Sequence, residues 1–239
     1  MKKASVKEKI TSDNIHLSRK MLYLCAQKEP IELFCANMDI IQTIDSADKS
    51  ATVYLNNDMG SVADTTFWTL SSRLIWVPVA LFFIYCIFKN NNRNWRMTVL
   101  AVITLAITIA MCDQIASSLF KPWIARLRPS HNLQIADLLH YVNNYHGGPY
   151  GFMSSHAANA FGAAVFGSRI IKKRYFTIFI FSLALIVSYS RIYLGVHYLG
   201  DVVCGGITGI CVGYLMYMLF KYIYMRFAMF NPMLRAQRI

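Results

Sequence analysis

The sequence predicts an all-α fold, an integral membrane bundle of about five transmembrane helices plus an N-terminal interfacial helix. Of its 239 residues, 56% are hydrophobic, and the mean hydropathy is +0.38. Charged residues make up 15% of the chain, against about 25% in ordinary soluble proteins. After Thr65 the only carboxylate side chains are those of Asp113, Asp137 and Asp201. So few acids cannot cover a water-exposed surface, and most of the chain is therefore expected to face lipid.

Five apolar segments approach the length of about 20 residues that a helix needs to cross a bilayer. They are residues 70–88, 97–119, 152–171, 175–189 and 202–224. The third segment is rich in alanine and glycine, which allow the backbones of neighbouring helices to approach closely in lipid. These five segments are the predicted transmembrane helices.

Basic residues indicate the orientation of the bundle. Lysine and arginine cluster in residues 89–96, 169–174 and 226–238. By the positive-inside rule these segments face the cytoplasm, which leaves residues 120–151 and 190–201 outside. The net charge of +12 is then a consequence of topology, so the expected partner is a lipid bilayer and no nucleic acid.

The N-terminal residues do not fit this topology. The opening "MKKASVKEKI" is basic but lacks the apolar core of a signal peptide. A bundle of five helices whose C-terminus faces the cytoplasm would place this basic segment outside, against the positive-inside rule. Residues 31–60 are too polar to cross the membrane. They predict an interfacial helix that turns three isoleucines towards lipid, Ile40, Ile41 and Ile44.

We therefore divide the chain into three parts. Residues 1–37 are a polar extension that is expected to be disordered or not translated, with the natural start near Met38. Residues 38–225 form the membrane-embedded domain, and 226–239 a basic cytoplasmic tail.

The first external connection begins "KPWIARLRPSHN". It places Lys121, Arg126 and Arg128 within eight residues, at the outer end of the second span. Two interpretations are open at this point. The cations could anchor the chain at the membrane surface, or they could form an anion site, since lysine and arginine are the usual phosphate ligands.

A second motif, "GPYGFMSSHAANAFG", places a histidine where an alanine-rich helix begins. Ser154 is suited to cap this helix. The backbone N–H groups of Ser155 and His156 would then point out of the helix N-terminus, where an anion is favoured. Next to three basic residues, His156 is a candidate general acid.

The third motif, "SRIYLGVHYLGD", brings three ionisable residues to the membrane boundary. Gly195 precedes the fifth apolar run, so His197 is expected in its first turn, with Asp201 one turn further on the same face. A carboxylate at this spacing can orient an imidazole that acts as a nucleophile. We interpret Arg191 as an anion ligand, His197 as the nucleophile and Asp201 as the residue that aligns it.

Together these residues resemble the type 2 phosphatidic acid phosphatase family, whose motifs are K-x6-R-P, P-S-G-H and S-R-x5-H-x3-D. The sequence has the first and third at Lys121, Arg128 and Pro129 and at Ser190, Arg191, His197 and Asp201. The middle motif departs from the pattern, because Met153 replaces the proline and Ser155 the glycine. The resemblance covers about residues 38–225.

The resemblance implies a role for each matching position. Lys121, Arg128 and Arg191 would neutralise phosphate oxygens together with Ser154 and the backbone of Ser155. The nucleophile His197 would form a phosphohistidine. His156 would protonate the leaving oxygen and then activate water. The family needs no metal or other cofactor, because cations of the protein supply the electrostatic stabilisation.

Other ionisable residues receive simpler interpretations. The external loop carries three histidines and an aspartate at loose spacing, and a solvated loop or a lipid headgroup contact is favoured there over a metal site; these residues are His131, His140, His146 and Asp137. Asp113, near the outer end of the second span, is expected to support the Lys121–Arg128 segment.

The predicted function is hydrolysis of a lipid phosphate monoester or diphosphate at the outer face of the bacterial inner membrane. Undecaprenyl diphosphate is preferred as substrate over a lipid A phosphate and phosphatidylglycerol phosphate. Two alternatives remain open: a phosphotransferase that passes the phosphate to another lipid, and a non-enzymatic transporter.

Overall fold

The structure, a computed structural model, describes the backbone of residues 28–72, 76–90 and 93–230. Within these ranges the chain is helical and contains no β-strand. The helices are α1 Lys28–Leu55, α2 Ser61–Ser71, α3 Trp76–Asn90, α4 Trp95–Gln114, α5 Lys121–Ile124, α6 Ser155–Ile171, α7 Arg174–Tyr193 and α8 Leu199–Phe230. A π-helical turn, Ile115–Phe120, joins α4 to α5, and short 3-10 turns occur in the connection between α5 and α6.

Length and apolarity identify the helices that can cross a bilayer. Three of the described segments meet both conditions, namely Trp95–Ile124, Arg174–Tyr193 and Leu199–Arg226. α2 and α3 meet them only when they are counted together as one span. α6, the predicted third span, has 17 residues and packs against α4, α7 and α8. The predicted fold class, an all-α membrane bundle, is confirmed.

The N-terminal part forms a separate unit. The chain divides into Met1–Ala47 and Asp48–Ile239, and α1 runs across this boundary. The predicted interfacial helix corresponds to α1, in which Ile40, Ile41 and Ile44 are exposed. Its place at the membrane surface stays a prediction. Residues 1–27 and 231–239, which include most of the predicted extension and tail, lie outside the described residues.

Glycines on α8 allow it to lie directly against α6. A methyl group added at Gly205, Gly209 or Gly213 would lie 2.4, 2.2 or 2.5 Å from a backbone carbonyl oxygen of α6 or its cap. These distances are shorter than any real contact, so the two backbones touch where the glycines face α6. The spacing of four residues repeats the small-residue pattern that packs helices in lipid. This contact holds the second and third motifs together.

The two ends of the bundle differ in chemistry. At one end the Asn90 side chain donates a hydrogen bond to the Ile170 carbonyl, so the basic connections after α3 and after α6 lie side by side. At the other end the backbone N–H of Ser154 bonds to the Asp201 carbonyl, which joins the start of α6 to the start of α8. The predicted site residues therefore lie at the end opposite the basic connections.

Candidate active site

The first two motifs are joined by backbone hydrogen bonds. Leu127 and Tyr150 form an isolated antiparallel bridge. Next to it, the N–H of Arg128 bonds to the Pro149 carbonyl and that of Gly151 to the Arg126 carbonyl. Space for a side chain is tight at Gly151, because a Cβ there would lie 3.0 Å from Asp201 Oδ2 and 3.1 Å from Arg128 Cγ, and these side chains would have to shift.

The third motif spans the end of α7 and the turn that follows. Arg191 lies in the last turn of α7 and is buried, where a cation is favoured by the helix dipole. The chain then turns at Gly195, whose φ of 68° is in the left-handed region that favours glycine. His197 follows in this turn, two residues before α8 begins at Leu199. The prediction that His197 lies in the first turn of the helix is therefore wrong, because the turn at Gly195 delays the start of α8.

His197 nevertheless faces Asp201. The distance from His197 Nδ1 to Asp201 Oδ2 is 3.5 Å, longer than a standard hydrogen bond. Both side chains are buried, and among the described residues no group meets Nδ1 at hydrogen-bonding geometry. Catalytic hydrogen bonds are often long in an unliganded enzyme and shorten when substrate binds. The geometry allows Asp201 to hold Nδ1 while Nε2 acts as the nucleophile.

Arg126 holds Asp201 in place. Its guanidinium lies 3.1 Å from Asp201 Oδ1 and 2.8 Å from Asp48 Oδ2, and it stacks on the Tyr198 ring at 3.9 Å from the centroid. The backbone N–H of Tyr198 bonds to Asp201 Oδ2, and that of Gly200 bonds to Asp48 Oδ1. Arg126 thus binds carboxylates of the protein, whereas the sequence analysis counted it among the possible ligands of a bound phosphate.

A cationic cluster, formed by Lys121, Arg128 and Arg191, lies around His197. Arg128 is oriented by two backbone carbonyls, those of Tyr150 at 3.1 Å and Val196 at 3.3 Å. Burial lowers the pKa of His197 well below its usual value, and the charges of Arg128, Arg191 and Lys121 lower it further, while a hydrogen bond with the Gly151 backbone opposes them. A lowered pKa keeps the imidazole of His197 neutral at physiological pH, which its predicted role as nucleophile requires.

The second motif reaches the same cluster from α6. Ser154 is the N-cap, and its Oγ accepts a hydrogen bond from the Ala157 N–H at 3.4 Å. The predicted cap is confirmed. The Ser154 hydroxyl keeps its own proton for a further acceptor, and Ser155 begins the helix. His156 lies within electrostatic range of Arg191, His197, Lys121 and Arg128. The predicted site residues thus meet at one end of the bundle.

The loop histidines do not come together. His131 contacts Ser130, and His146 contacts Asn144. His140 lies 2.8 Å from Asp64 and 4.0 Å from Asp58. Those two aspartates and His140 are the one group found among the described residues that could hold a metal ion. None of the three belongs to the cationic cluster. Sequence spacing does not reveal this group, because its members are far apart in the chain.

An apolar cavity of about 430 Å³ adjoins the site between α3, α4, α6 and α7. Its wall consists mainly of aliphatic and aromatic side chains, such as Phe83, Leu105 and Leu183. Ser155 and His156 form part of the same wall. A cavity of this size accommodates one small-molecule-sized group. The predicted general acid therefore stands between the cationic cluster and a space suited to hydrocarbon.

Comparison with known proteins agrees with this geometry. The sequence pattern of the PAP2 superfamily matches residues 100–225. The protein belongs to the PAP2 superfamily. All three motifs lie within the matched region, as do the glycines of α8 that contact α6. The resemblance that the sequence analysis identified is confirmed.

Other PAP2 proteins match over most of the chain. The lipid A 4'-phosphatase of Porphyromonas gingivalis is 36% identical over 70% of this chain and 70% of its own. That of Bacteroides thetaiotaomicron is 37% identical over 74% of this chain and 79% of its own.

Two solved structures share the fold at low identity. The PAP2 type phosphatidylglycerolphosphate phosphatase of Bacillus subtilis aligns with a TM-score of 0.59 at 19% identity, over 76% of this chain and 88% of that one. LpxE of Aquifex aeolicus aligns with a TM-score of 0.51 at 19% identity, over 70% of this chain and 92% of that one. The chain is therefore a multi-pass membrane protein of the PAP2 fold.

Proposed function

We propose that the protein is a membrane lipid phosphatase that removes a phosphate monoester from an acylated glycolipid of the lipid A type. The carrying observation is that His156, which lies within electrostatic range of the cationic cluster and of His197, also forms part of the wall of an apolar cavity. The two lipid A 4'-phosphatases at 36% and 37% identity support this substrate. The family resemblance does not decide the substrate by itself. From the sequence we prefer undecaprenyl diphosphate, as a common substrate of compact bacterial members, and these relatives favour a lipid A phosphate instead.

Substrate binding would place the phosphate in the cationic cluster. Lys121, Arg128 and Arg191 would neutralise its oxygens, with further hydrogen bonds from the Ser154 hydroxyl and the Ser155 backbone. The acyl chain would enter the apolar cavity. Burial of the cations strengthens their interaction with charge that develops in the transition state, so this site needs no metal ion to stabilise it.

The first chemical step is attack of His197 Nε2 on phosphorus. The bound phosphate dianion offsets the charge of the three cations, so that His156 carries the proton that it gives to the lipid oxygen. The N–P bond forms as the bond between phosphorus and that oxygen breaks. The imidazole of His197 becomes positively charged, and Asp201 supports this charge from the Nδ1 side. The products of this step are the free lipid alcohol and a phosphohistidine.

The second step restores the enzyme. His156, now neutral, takes a proton from water, and the water oxygen attacks phosphorus as the N–P bond breaks. Inorganic phosphate leaves, and His197 returns to its neutral form. We place this reaction at the outer face of the bacterial inner membrane, because the basic connections at the opposite end favour the cytoplasm.

A polyprenyl diphosphate is the second candidate substrate. Dolichyldiphosphatase 1 of Dictyostelium discoideum is 38% identical, although over only 31% of this chain. The same cluster could bind the terminal phosphate of a diphosphate, with the second phosphate as leaving group.

Phosphate release from purified lipids in EDTA tests these proposals. The panel contains a lipid A bearing a 4'-phosphate, undecaprenyl diphosphate and phosphatidylglycerol phosphate. We expect release from lipid A at the highest kcat/KM, unchanged by EDTA. Release from undecaprenyl diphosphate alone would select the second candidate. Loss of activity in EDTA that Mg²⁺ restores would contradict metal independence, and a newly phosphorylated acceptor lipid would indicate a phosphotransferase.

A further inference from the structure

The cavity wall contains two polar residues to which the proposed mechanism gives no role. Ser155 and His156 belong to the phosphate site. Asp113 of α4 and Asn159 of α6 also line the cavity, among side chains that are otherwise mainly apolar. Polar groups in such a wall need an explanation, because burying them without partners is unfavourable.

Both residues lie close to the reacting end of the cavity. Asn159 follows His156 by three residues on α6, so the two side chains share a helix face about one turn apart. α4 lies against α6 at this depth, since a Cβ at Gly162 would be 2.8 Å from Cys112 Sγ. Asp113 follows Cys112 on α4, and it lines the same cavity on the side opposite α6.

The hydrogen-bonding capacity of this pair is incompletely used. Asn159 Oδ1 is buried, and within the described part of the chain it has no hydrogen-bond partner. Asp113 Oδ1 accepts one bond, from Ser117 Oγ at the long distance of 3.4 Å. Buried oxygens of this kind are nearly always satisfied in folded proteins. The pair therefore offers acceptors to a ligand that carries a donor.

We infer that Asp113 and Asn159 bind a hydroxyl or amide N–H on the acyl chain of the substrate, about one helical turn beyond the phosphate site. This inference rests on the proposed function and narrows the substrate class. A polyprenyl chain has no donor group, and neither has an ordinary ester-linked fatty acyl chain. An amino sugar whose acyl chain is amide-linked or hydroxylated has one at the required place. The pair thus selects a phosphorylated, acylated amino sugar.

Support of Lys121, the role that the sequence predicts for Asp113, does not account for the pair. Asp113 does lie within electrostatic range of Lys121. That interaction leaves Asn159 Oδ1 without a partner, however, and it does not require Asp113 to line the cavity. A donor on the substrate explains both residues at once.

Two synthetic sugar 4-phosphates test the inference. One is a glucosamine 4-phosphate with an amide-linked hydroxylated acyl chain at C2, and the other is a glucose 4-phosphate with an ester-linked plain chain of the same length at C2, without either donor. For the wild-type protein we expect kcat/KM to favour the first by at least about tenfold, because the second leaves buried acceptors unpaired. In Asn159→Leu and Asp113→Leu this ratio should approach one. Thr108→Val is the matched control, since it removes a buried hydroxyl of α4 that bonds within the helix to Thr104.

Binding to the His197→Ala variant separates this inference from the proposed function. That variant lacks the nucleophile, so the affinity of each glycolipid can be measured without turnover. Tighter binding of the first glycolipid that Asn159→Leu abolishes would support the inference even if wild-type protein released no phosphate, a result that would contradict the proposed function alone. Equal binding of both, or a preference unchanged by Asn159→Leu, would overturn the inference.

Discussion

At the scale of single residues, the alignment of His197 depends on a guanidinium that does not touch the phosphate in the proposed mechanism. Arg126 binds Asp201 and Asp48 together, and Asp201 in turn faces His197 Nδ1. All these groups are partly or fully buried. Removing one partner from a buried ion pair is costly because the other charge stays behind. We therefore propose that Arg126 positions His197 through Asp201.

Replacing Arg126 should affect turnover rather than binding. In Arg126→Leu we expect kcat to fall by at least about tenfold with KM nearly unchanged, because the Asp201 carboxylate loses its charge partner. Arg126→Lys should recover part of the loss. Arg128→Leu is the comparison, since it removes a proposed phosphate ligand and should raise KM. The measurement is steady-state hydrolysis of lipid substrate. A rise in KM alone for Arg126→Leu would show that Arg126 contacts the substrate.

The charge state of His197 gives a second prediction at this scale. Its lowered pKa means that the unliganded protein keeps a neutral imidazole in mildly acidic solution. In the unfolded chain the same group binds a proton below about pH 6.5. The contribution of neutral His197 to the free energy of unfolding is thus lost as the pH falls from about 6.5 towards the lower pKa of the folded protein. Nitrogen NMR of histidine-labelled protein, with His197→Gln for assignment, should give a midpoint well below the ordinary value. A midpoint at or above that value would contradict the description of the site.

The sequence predicts the residues that gather at the site better than the interactions that hold them. Lys121, Arg128 and His156 are found from motif spacing, and their meeting in space follows from three motifs at one end of the bundle. Their chemical roles remain predictions. Asp48 could not be found, because it pairs with a residue 78 positions away and lies in a segment whose polarity indicates an interfacial helix. Asn159, whose Oδ1 has no hydrogen-bond partner among the described residues, is likewise not identified by a hydrophobicity pattern.

At the scale of the helices, charge limits what an apolar pattern can locate. The fourth predicted span ends at residue 189, before Ser190 and Arg191, whereas α7 continues to Tyr193. The charge of Arg191 ends the apolar segment in the sequence, although Arg191 lies within α7 in the structure. The small residues of α6 were identified from the sequence as a packing surface. The matching glycines of α8 were not, although their spacing of four is visible.

The contact between α6 and α8 predicts a difference between two neighbouring glycines. Gly209→Ala would place its Cβ 2.2 Å from the Ala158 carbonyl oxygen, so the helices must separate. Gly206→Ala meets only the Phe161 ring at 3.2 Å, and the ring can move. We expect Gly209→Ala to lower the melting temperature in detergent by several degrees, because overpacking costs about 1–3 kcal/mol. Gly206→Ala should be near wild type. Equal melting temperatures for both variants would disprove the direct backbone contact.

At the scale of the whole molecule, the basic connections and the site residues lie at opposite ends of the bundle. The hydrogen bond between Asn90 and Ile170 marks the basic end. By the positive-inside rule we expect that end to face the cytoplasm. Hydrolysis on the outer side would follow from this arrangement, since the cationic cluster is at the other end.

Cysteine labelling tests this sidedness. Leu133 is 95% exposed in the connection between α5 and α6, and Arg93 is exposed at the basic end. In a protein without its six native cysteines, Leu133→Cys should react with an impermeant maleimide in intact spheroplasts. Arg93→Cys should react only after lysis. The opposite pattern would place the site in the cytoplasm.

The most direct test of the central claim is detection of the phosphohistidine. Wild-type protein is mixed with an activated aryl phosphate and quenched rapidly, and both phenol release and acid-labile protein phosphate are measured. We expect a burst of phenol matched by phosphohistidine in the wild type and accumulation of phosphohistidine in His156→Ala, because an aryl leaving group needs little help from a general acid whereas breakdown still needs a base. His197→Ala should give neither. A burst or labelled protein in His197→Ala would show that His197 is not the nucleophile.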